Sequence, residues 1–162
     1  MAGEARSRLV RWRDPGIAVD RARSLPGLEL LRLMLDGEVD APICALVGLR
    51  LVEVSEGAVT FELEPHESQY NLIGCVHGGV VATLLDSAMG CAVHSRLGAG
   101  QTYATVEINV SYVRAVTPDV GPLRSVGAVI TMGSRIATAR ADAVDRDGRV
   151  YAHGTTVCLL SR

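Results

Sequence analysis

The residues best suited to chemistry lie between Asn71 and Asp86, in a segment with the sequence NLIGCVHGGVVATLLD. Gly78 and Gly79 precede an apolar helical periodicity, and glycines at a helix start expose backbone N–H groups at the positive end of the helix dipole. Such N–H groups can bind an oxyanion, and one donor of this kind typically contributes about 10²–10³ in rate. A flexible turn is the ordinary alternative for two adjacent glycines.

Asp86 is the second residue that favours a reaction. It interrupts an apolar periodicity that runs from Val80 to Ala92. Aspartate is a poor helix former, and a carboxylate buried without partners is costly. A solvated helix face is the alternative, because Ser87 and His94 also lie on this helix. Together with the glycines upstream, the carboxylate favours a catalytic role.

The spacing of these groups predicts how the molecule assembles. Gly79 and Asp86 are seven residues apart, so they share one helix face but lie about 10 Å apart along the axis. A general base should lie about 3 Å from its water, and that water about 3–3.5 Å from the carbonyl that it attacks. One helix cannot easily supply both groups to one substrate, whereas an antiparallel second copy can. We therefore expect a homodimer with shared active sites.

Composition excludes several other functions. All 16 basic residues are arginine, so no lysine is available for a Schiff base or for a Walker-type phosphate loop. A net charge of −2 and an aromatic content of 4% argue against nucleic acid binding. No apolar run approaches the ~20 residues of a membrane helix, and the N-terminus lacks an apolar signal region. We expect no membrane interaction and a cytoplasmic location.

The four cysteines predict neither a disulfide nor a metal site. Cys44, Cys75, Cys91 and Cys158 form no C-x-x-C pair, so we expect reduced and mostly buried thiols. Cys91 and His94 could share a metal on one helix face. Two further ligands at suitable spacing are missing, so no metal is expected.

Periodicity predicts an α+β protein. Residues 1–23 are expected to form a solvated arm in which acidic residues interrupt six arginines, before a short apolar helix capped by Ser24 and ended by Asp36-Gly37. The long helix is expected over 79–96. Strands are expected over 46–54 and from 59, with the turn at Ser55-Glu56-Gly57, and then over 105–112, 122–132, 135–145 and 149–160.

Two features of these strands bear on packing. Val106, Ile108, Val110 and Tyr112 are expected on one face of their strand, with Thr105, Glu107, Asn109 and Ser111 on the other. In the 135–145 strand every second residue is alanine, from Ala137 to Ala143, which allows a helix to approach the sheet closely. Asp147-Gly148 predicts the last hairpin.

The combined pattern N-x-x-G-x-x-H-G-G, with an aspartate seven residues after the last glycine, resembles the hotdog-fold acyl-CoA thioesterases of the PaaI (phenylacetate-pathway) type. The segments 105–114 and 145–149 are similar to the family's strand after the central helix and to its last hairpin. The resemblance covers about residues 41–160. It implies a hotdog domain over 41–162, in which a curved antiparallel sheet wraps around one long central helix. Residues 1–40 would add an N-terminal arm and a short apolar helix.

By position, the resemblance implies hydrolysis of an acyl-CoA thioester to a free carboxylic acid and coenzyme A, with no cofactor. The amide of Gly78 would polarise the thioester carbonyl, and His77 would support that loop. Asp86 from the partner chain would activate water or attack directly. Dimers, often paired into tetramers, are implied.

Further residues carry less specific roles. Asn71 would orient the water, Thr105 would lie beside the carboxylate, and Gly79 would add a substrate contact. Arg114 and Arg135 are candidates for the coenzyme A phosphates, with a solvated surface as the alternative for each.

Two other functions stay open at this stage. A non-catalytic acyl-CoA binder or sensor on the same scaffold would bind the ester but release no thiol. A hotdog dehydratase or hydratase normally pairs a catalytic histidine with a carboxylate in a different motif, which this sequence lacks. The acyl group itself is not predicted, and aryl, short-chain and longer esters all remain candidates.

Overall fold

The computed structural model describes residues 3–161. It contains one antiparallel sheet of six strands, together with four α-helices. The strand order is β1-β2-β4-β5-β6-β3, so β1 and β3 are the edges. The helices are α1 Pro15–Ser24, α2 Gly27–Leu35, α3 Pro42–Val47 and α4 Gly78–His94. The strands are β1 Leu49–Ser55, β2 Ala58–Leu63, β3 Thr102–Tyr112, β4 Leu123–Met132, β5 Ile136–Val144 and β6 Val150–Ser161.

Helix α4 packs across one face of this sheet, as its apolar periodicity predicts. Leu84, Leu85 and Met89 are fully buried between helix and strands. The alanines of β5 all face α4 and are buried, which confirms the predicted small-residue stripe. The helix approaches the sheet closely at Gly127 of β4, where an added Cβ would lie only 2.1 Å from the carbonyl oxygen of Ala88. The α+β class predicted from periodicity is confirmed.

Strand β3 departs from the regular alternation expected for it. A β-bulge shifts its register on β6 between Thr105 and Glu107, so Thr105 pairs with Cys158 and Glu107 with Val157. Cys158 is buried on the helix side of the sheet, and directly paired residues share a face. Thr105 therefore faces α4 together with Ile108, and the expected grouping of Thr105 with Glu107 is wrong. An unpaired residue, Val106, occupies the bulge.

The N-terminal third contains more helix than the sequence pattern predicts. Residues 15–24 form α1 within the expected arm, started by the Asp14 side chain, which accepts from the N–H of Gly16. Ser24 ends α1 instead of capping α2, whose N-cap is Pro26. Residues 42–47 form α3, so the first strand begins at Leu49 and not at 46. Proline at the first position of α1 and of α3 favours these short helices.

Arginines bind the extended residues 3–14 to the rest of the chain. Arg6 pairs with Glu67, and Arg8 donates to the Ala45 carbonyl at 3.0 Å. Arg13 donates to the carbonyls of Gly37 and Glu38 at 2.6 and 2.9 Å, which satisfies groups just beyond the end of α2. The arm therefore follows the protein surface, and its residues are exposed except Val10, which is half-buried, as expected for a solvated segment. Within residues 3–161, no helix is long and apolar enough to cross a membrane.

Candidate active site

The start of α4 presents one free backbone donor. The His77 side chain caps the helix, because its Nδ1 accepts from the N–H of Gly79 at 2.9 Å. The N–H of Gly79 is therefore engaged within the chain. Among the described residues, the N–H of Gly78 has no hydrogen-bond partner. Of the two glycines singled out from the sequence, Gly78 is thus the one that can donate to an oxyanion.

The loop before α4 holds this donor in place. The Asn71 side-chain oxygen accepts from the N–H groups of Ile73 and Cys75 at 3.0 and 3.3 Å, which closes a tight turn. The N–H of Val76 donates to Val116 and that of His77 to Gln69, at 2.9 and 2.8 Å. The Asn71 amide thus shapes the loop, and Asn71 also lines the pocket beside Gly78.

The carboxylate of Asp86 lies half-buried between α4 and β3. Thr105 donates its hydroxyl to Asp86 Oδ1 at 3.1 Å, a contact that the bulge at Val106 makes possible. Burial raises the pKa of the nearby Cys91 thiol to about 12 and the pKa of the Tyr103 phenol well above its usual value. Both groups are therefore neutral at pH 7.

A cavity of about 310 Å³ opens beside the N-terminus of α4. Gly78 and Asn71 line it together with Tyr112 and Arg114, and its apolar wall comprises Val76, Val81, Val113 and Val116. Asp86 does not line this cavity. It lies eight residues beyond Gly78 on α4, about 12 Å along the axis. Within one chain the donor and the carboxylate therefore do not face the same space.

The structure separates the two arginines proposed for phosphate binding. Arg114 borders the cavity, and its guanidinium donates to the Val150 carbonyl. Arg135 lies in the β4–β5 turn, where its carbonyl accepts from Leu160, the residue paired with Tyr103. Tyr112, which lines the cavity, is nine residues from Tyr103 on β3, and this separation is about 30 Å at the rise of a strand. Arg135 therefore lies far from the cavity of its own chain.

Tyr112 is a site residue that the sequence analysis missed. Its hydroxyl donates to the Gly78 carbonyl at 2.9 Å, and its ring borders the cavity. An added Cβ at Gly78 would meet that ring at 3.2 Å, so the absence of a side chain allows the close packing. The sequence offered only a tyrosine at the end of a strand, which alone does not indicate contact with a helix start.

Comparison with known proteins agrees with this architecture. The sequence profile described as the thioesterase superfamily matches residues 73–152, which include Gly78, Asp86 and Thr105. A candidate esterase of Halobacterium salinarum is 32% identical over 125 residues, which cover 74% of this chain and 81% of that protein.

Solved structures show the same fold. A thioesterase family protein from Silicibacter pomeroyi is 26% identical with a TM-score of 0.71, over 80% of this chain and 96% of the other. A phenylacetic acid degradation-related candidate thioesterase from Ralstonia eutropha, 24% identical, has a TM-score of 0.71 over 79% of this chain and 97% of the other. The hotdog fold implied by the sequence pattern is confirmed.

Fold and site together define a hotdog protein with a helix-start donor and a helix carboxylate. The chain belongs to the thioesterase superfamily, and the family together with its relatives identifies it as a thioester hydrolase.

Proposed function

We propose that this protein hydrolyses acyl-CoA thioesters to a carboxylic acid and coenzyme A, in active sites shared between two subunits. The observation that carries the proposal is the placement of two complementary groups on α4. The free N–H of Gly78 and the Thr105-bound carboxylate of Asp86 lie about 12 Å apart on α4. Each half-site lacks what the other supplies, and an antiparallel second α4 would bring them together.

In the proposed reaction, the thioester carbonyl oxygen accepts a hydrogen bond from the N–H of Gly78. Asp86 of the partner subunit removes a proton from water, and the oxygen of that water forms a bond to the carbonyl carbon. The resulting oxyanion is stabilised by the same N–H and by the positive end of α4. The carbon–sulfur bond then breaks, and the thiolate recovers the proton from Asp86 of the partner subunit.

Direct attack by the carboxylate of Asp86 is the other route to the same products. It would form a mixed anhydride, which water then hydrolyses. After a single turnover in ¹⁸O-labelled water, label in Asp86 identifies the anhydride route, because direct attack by water places the label only in the product acid. The anhydride route instead leaves label in the Asp86 carboxylate when water attacks the enzyme's carbonyl.

The exposed edge of β3 supports the proposed dimer. Val106 and Tyr112 are 58% and 55% exposed there, and Ile108 on the helix-facing side is 38% exposed. An open edge strand with apolar side chains is a ready template for pairing with another strand. Pairing of two β3 strands about a twofold axis would run them antiparallel and set the two α4 helices side by side. Pairing of dimers into a tetramer is a further part of the proposal.

The cavity beside Gly78 suits the pantetheine arm of the substrate. Its valine wall can contact the methylene groups, and Arg114 at its border is available for a polar group.

The proposed chemistry requires no metal and no redox cofactor, since a carboxylate, water and a backbone donor suffice. A cytoplasmic location is proposed with it, because coenzyme A esters are intracellular metabolites and all four cysteines are free.

Subunit complementation tests this function and the shared site together. Asp86→Asn should lower thiol release about 10²–10⁴-fold, because it removes the base. Gly78→Pro should lower it about 10²–10³-fold, because proline lacks the N–H yet fits the first position of a helix. Gly78→Ala is the matched control, since it keeps the N–H and adds the same Cβ beside Tyr112.

A heterodimer of one Asp86→Asn chain and one Gly78→Pro chain, purified with two different tags, should recover about half of the wild-type activity, because one of its two symmetric sites has both groups intact. An inactive heterodimer would contradict the shared site.

Asp86→Asn activity within about threefold of wild type would contradict the assigned base. Asp142→Asn, an exposed position of β5, controls for loss of charge. Coenzyme A ester binding without thiol release would overturn the proposed hydrolysis.

A further inference from the structure

A second pocket lies beside the one that contains Gly78. It measures about 210 Å³ and is formed by the β5–β6 hairpin and the short helical turn at 118–120. Arg146 and Arg149 line this pocket, and Arg114 lines the neighbouring one. Tyr151 borders both cavities, so the two pockets are adjacent on one face of the chain.

The hairpin that carries Arg146 and Arg149 is held in one conformation by Asp145. The Asp145 carboxylate accepts from the N–H groups of Asp147 and Arg149, both at 2.9 Å, and from the Tyr151 hydroxyl at 3.3 Å. Burial raises the pKa of Asp145, but these hydrogen bonds outweigh that effect, so its pKa is lowered. This carboxylate therefore stays ionised while its hydrogen bonds fix the turn, and Arg146 and Arg149 remain exposed.

The three arginines around Tyr151 are not neutralised by direct ion pairs. Within residues 3–161, salt bridges shorter than 4 Å are formed by Arg6, Arg23, Arg50, Arg96 and Arg124. Among the described residues, the Arg114 side chain donates only to a backbone carbonyl, that of Val150. Three guanidinium groups with unused donors thus border one pair of pockets.

We propose that Arg146 and Arg149, assisted by Arg114, bind the phosphate groups at the nucleotide end of coenzyme A. The inference rests on the proposed function, because that function places the thioester at Gly78. The pantetheine arm would then extend through the valine-walled cavity toward Tyr151, where the phosphates follow along the molecule. Since the chain has no lysine, side-chain cations for these phosphates must be arginines. The planar guanidinium fork matches phosphate oxygens in a bidentate manner.

Three carboxylates moderate the charge of this site. Asp119, Asp145 and Asp147 line the same pocket, so the region is not strongly positive overall. Recognition should therefore depend on direct hydrogen bonds to the phosphates and less on long-range attraction. Arg135, the other arginine considered from the sequence, lies about 30 Å away in the same chain.

The test compares two esters of one acyl group, one on coenzyme A and one on pantetheine, which lacks the nucleotide and its phosphates. Arg146→Gln/Arg149→Gln should raise KM for the coenzyme A ester about tenfold or more and leave kcat nearly unchanged, because hydrogen bonds to charged groups are lost. The same variant should hydrolyse the pantetheine ester like the wild type. Arg140→Gln, an exposed position of β5, is the matched control and should change neither KM.

An equal effect of the double variant on both esters, or no effect on either, would overturn the phosphate assignment. A KM increase of the same size in Arg135→Gln would also overturn it, because the phosphates would then bind near the β4–β5 turn. If the wild type hydrolyses neither ester, the proposed function fails, and calorimetry with coenzyme A itself decides the phosphate site. Tenfold weaker binding by the double variant would then support the site, and unchanged binding would reject it.

Discussion

At the scale of single residues, the site depends on how one hydroxyl is aimed. Thr105 would face away from α4 in the regular alternation that its neighbours suggest. The bulge at Val106 turns it to the helix side, where its hydroxyl contacts Asp86 Oδ1 at 3.1 Å. Bulges near active sites commonly re-aim a side chain in this way. Thr105 is thus a positioning residue for the carboxylate.

Thr105→Val should lower kcat about tenfold or more with little change in KM. Valine has nearly the same shape but cannot donate, and a hydrogen bond to a charged group contributes about 1.5–3 kcal/mol. Steady-state thiol release measures the effect. Thr105→Ser keeps the hydroxyl and should retain most of the activity. Equal losses in both variants would show that the methyl group and not the hydrogen bond matters.

The sequence was informative about this site where chemistry and local spacing coincide. Gly78 and Asp86 could be identified because glycines at a helix start and an aspartate within an apolar stripe are locally unusual. The contact of Tyr112 with Gly78 was not predicted. Periodicity placed Thr105 on the wrong face of its strand, and only the family resemblance put it beside Asp86. Both contacts depend on how β3 is placed against α4, and a bulge leaves no clear mark on a strand whose residues otherwise alternate regularly.

At the scale of elements, the distance between α4 and the sheet depends on small residues. The buried alanines of β5 and Gly127 of β4 allow the helix backbone to approach the strands. At Gly127 the contact is with backbone, because the atom that an added Cβ would meet is the Ala88 carbonyl oxygen. A backbone atom in a packed helix cannot move aside as the end of a flexible side chain can.

Gly127→Ala should therefore destabilise the protein by about 3 kcal/mol or more, at the upper end of the usual cost of overpacking. Urea unfolding followed by circular dichroism measures the change. Gly98→Ala serves as the control, because its Cβ would meet nothing nearer than the Gln101 side chain at 3.4 Å. Similar unfolding midpoints for the two variants would show that α4 can shift without cost.

Elements with a long periodic pattern were the ones that the sequence predicted well. Helix α4 and the hairpins at Ser55-Glu56-Gly57 and Asp147-Gly148 match the structure within a few residues. The short helices α1 and α3 were missed, since they extend for only 10 and 6 residues and contain no fully buried side chain. Their stability comes from caps, prolines and packing in three dimensions, which periodicity does not report.

At the scale of the whole molecule, function and assembly depend on the same edge strand. The face of β3 that carries Thr105 also carries Ile108, one bulge further along the strand. Ile108 is 38% exposed in the single chain. In the proposed dimer, both the strand edge and this side chain would be covered, and each active site would be completed by the same contact.

Ile108→Lys should convert the protein into monomers and abolish thiol release, because a charged side chain on an edge strand opposes pairing. Sedimentation velocity measures the assembly and a thiol assay the activity. Ile136→Lys is the matched control, because Ile136 is 42% exposed and lies on β5, away from the β3 edge. This variant should keep the wild-type assembly and activity. Full activity in a monomeric Ile108→Lys protein would refute the shared site.

The N-terminal arm has a consequence for how the chain can change in sequence. Arg8 and Arg13 bind main-chain carbonyls, those of Ala45 and Glu38 among them, and not the side chains of these residues. Any residue that keeps the backbone path can therefore stand at positions 38 and 45 without loss of these bonds. At these two positions the arginines carry the specificity, whereas the Arg6–Glu67 ion pair and the Arg8–Ser68 hydrogen bond depend on the acceptor side chains. We expect substitutions at positions 38 and 45 to be tolerated and those at Arg8 and Arg13 to loosen the arm.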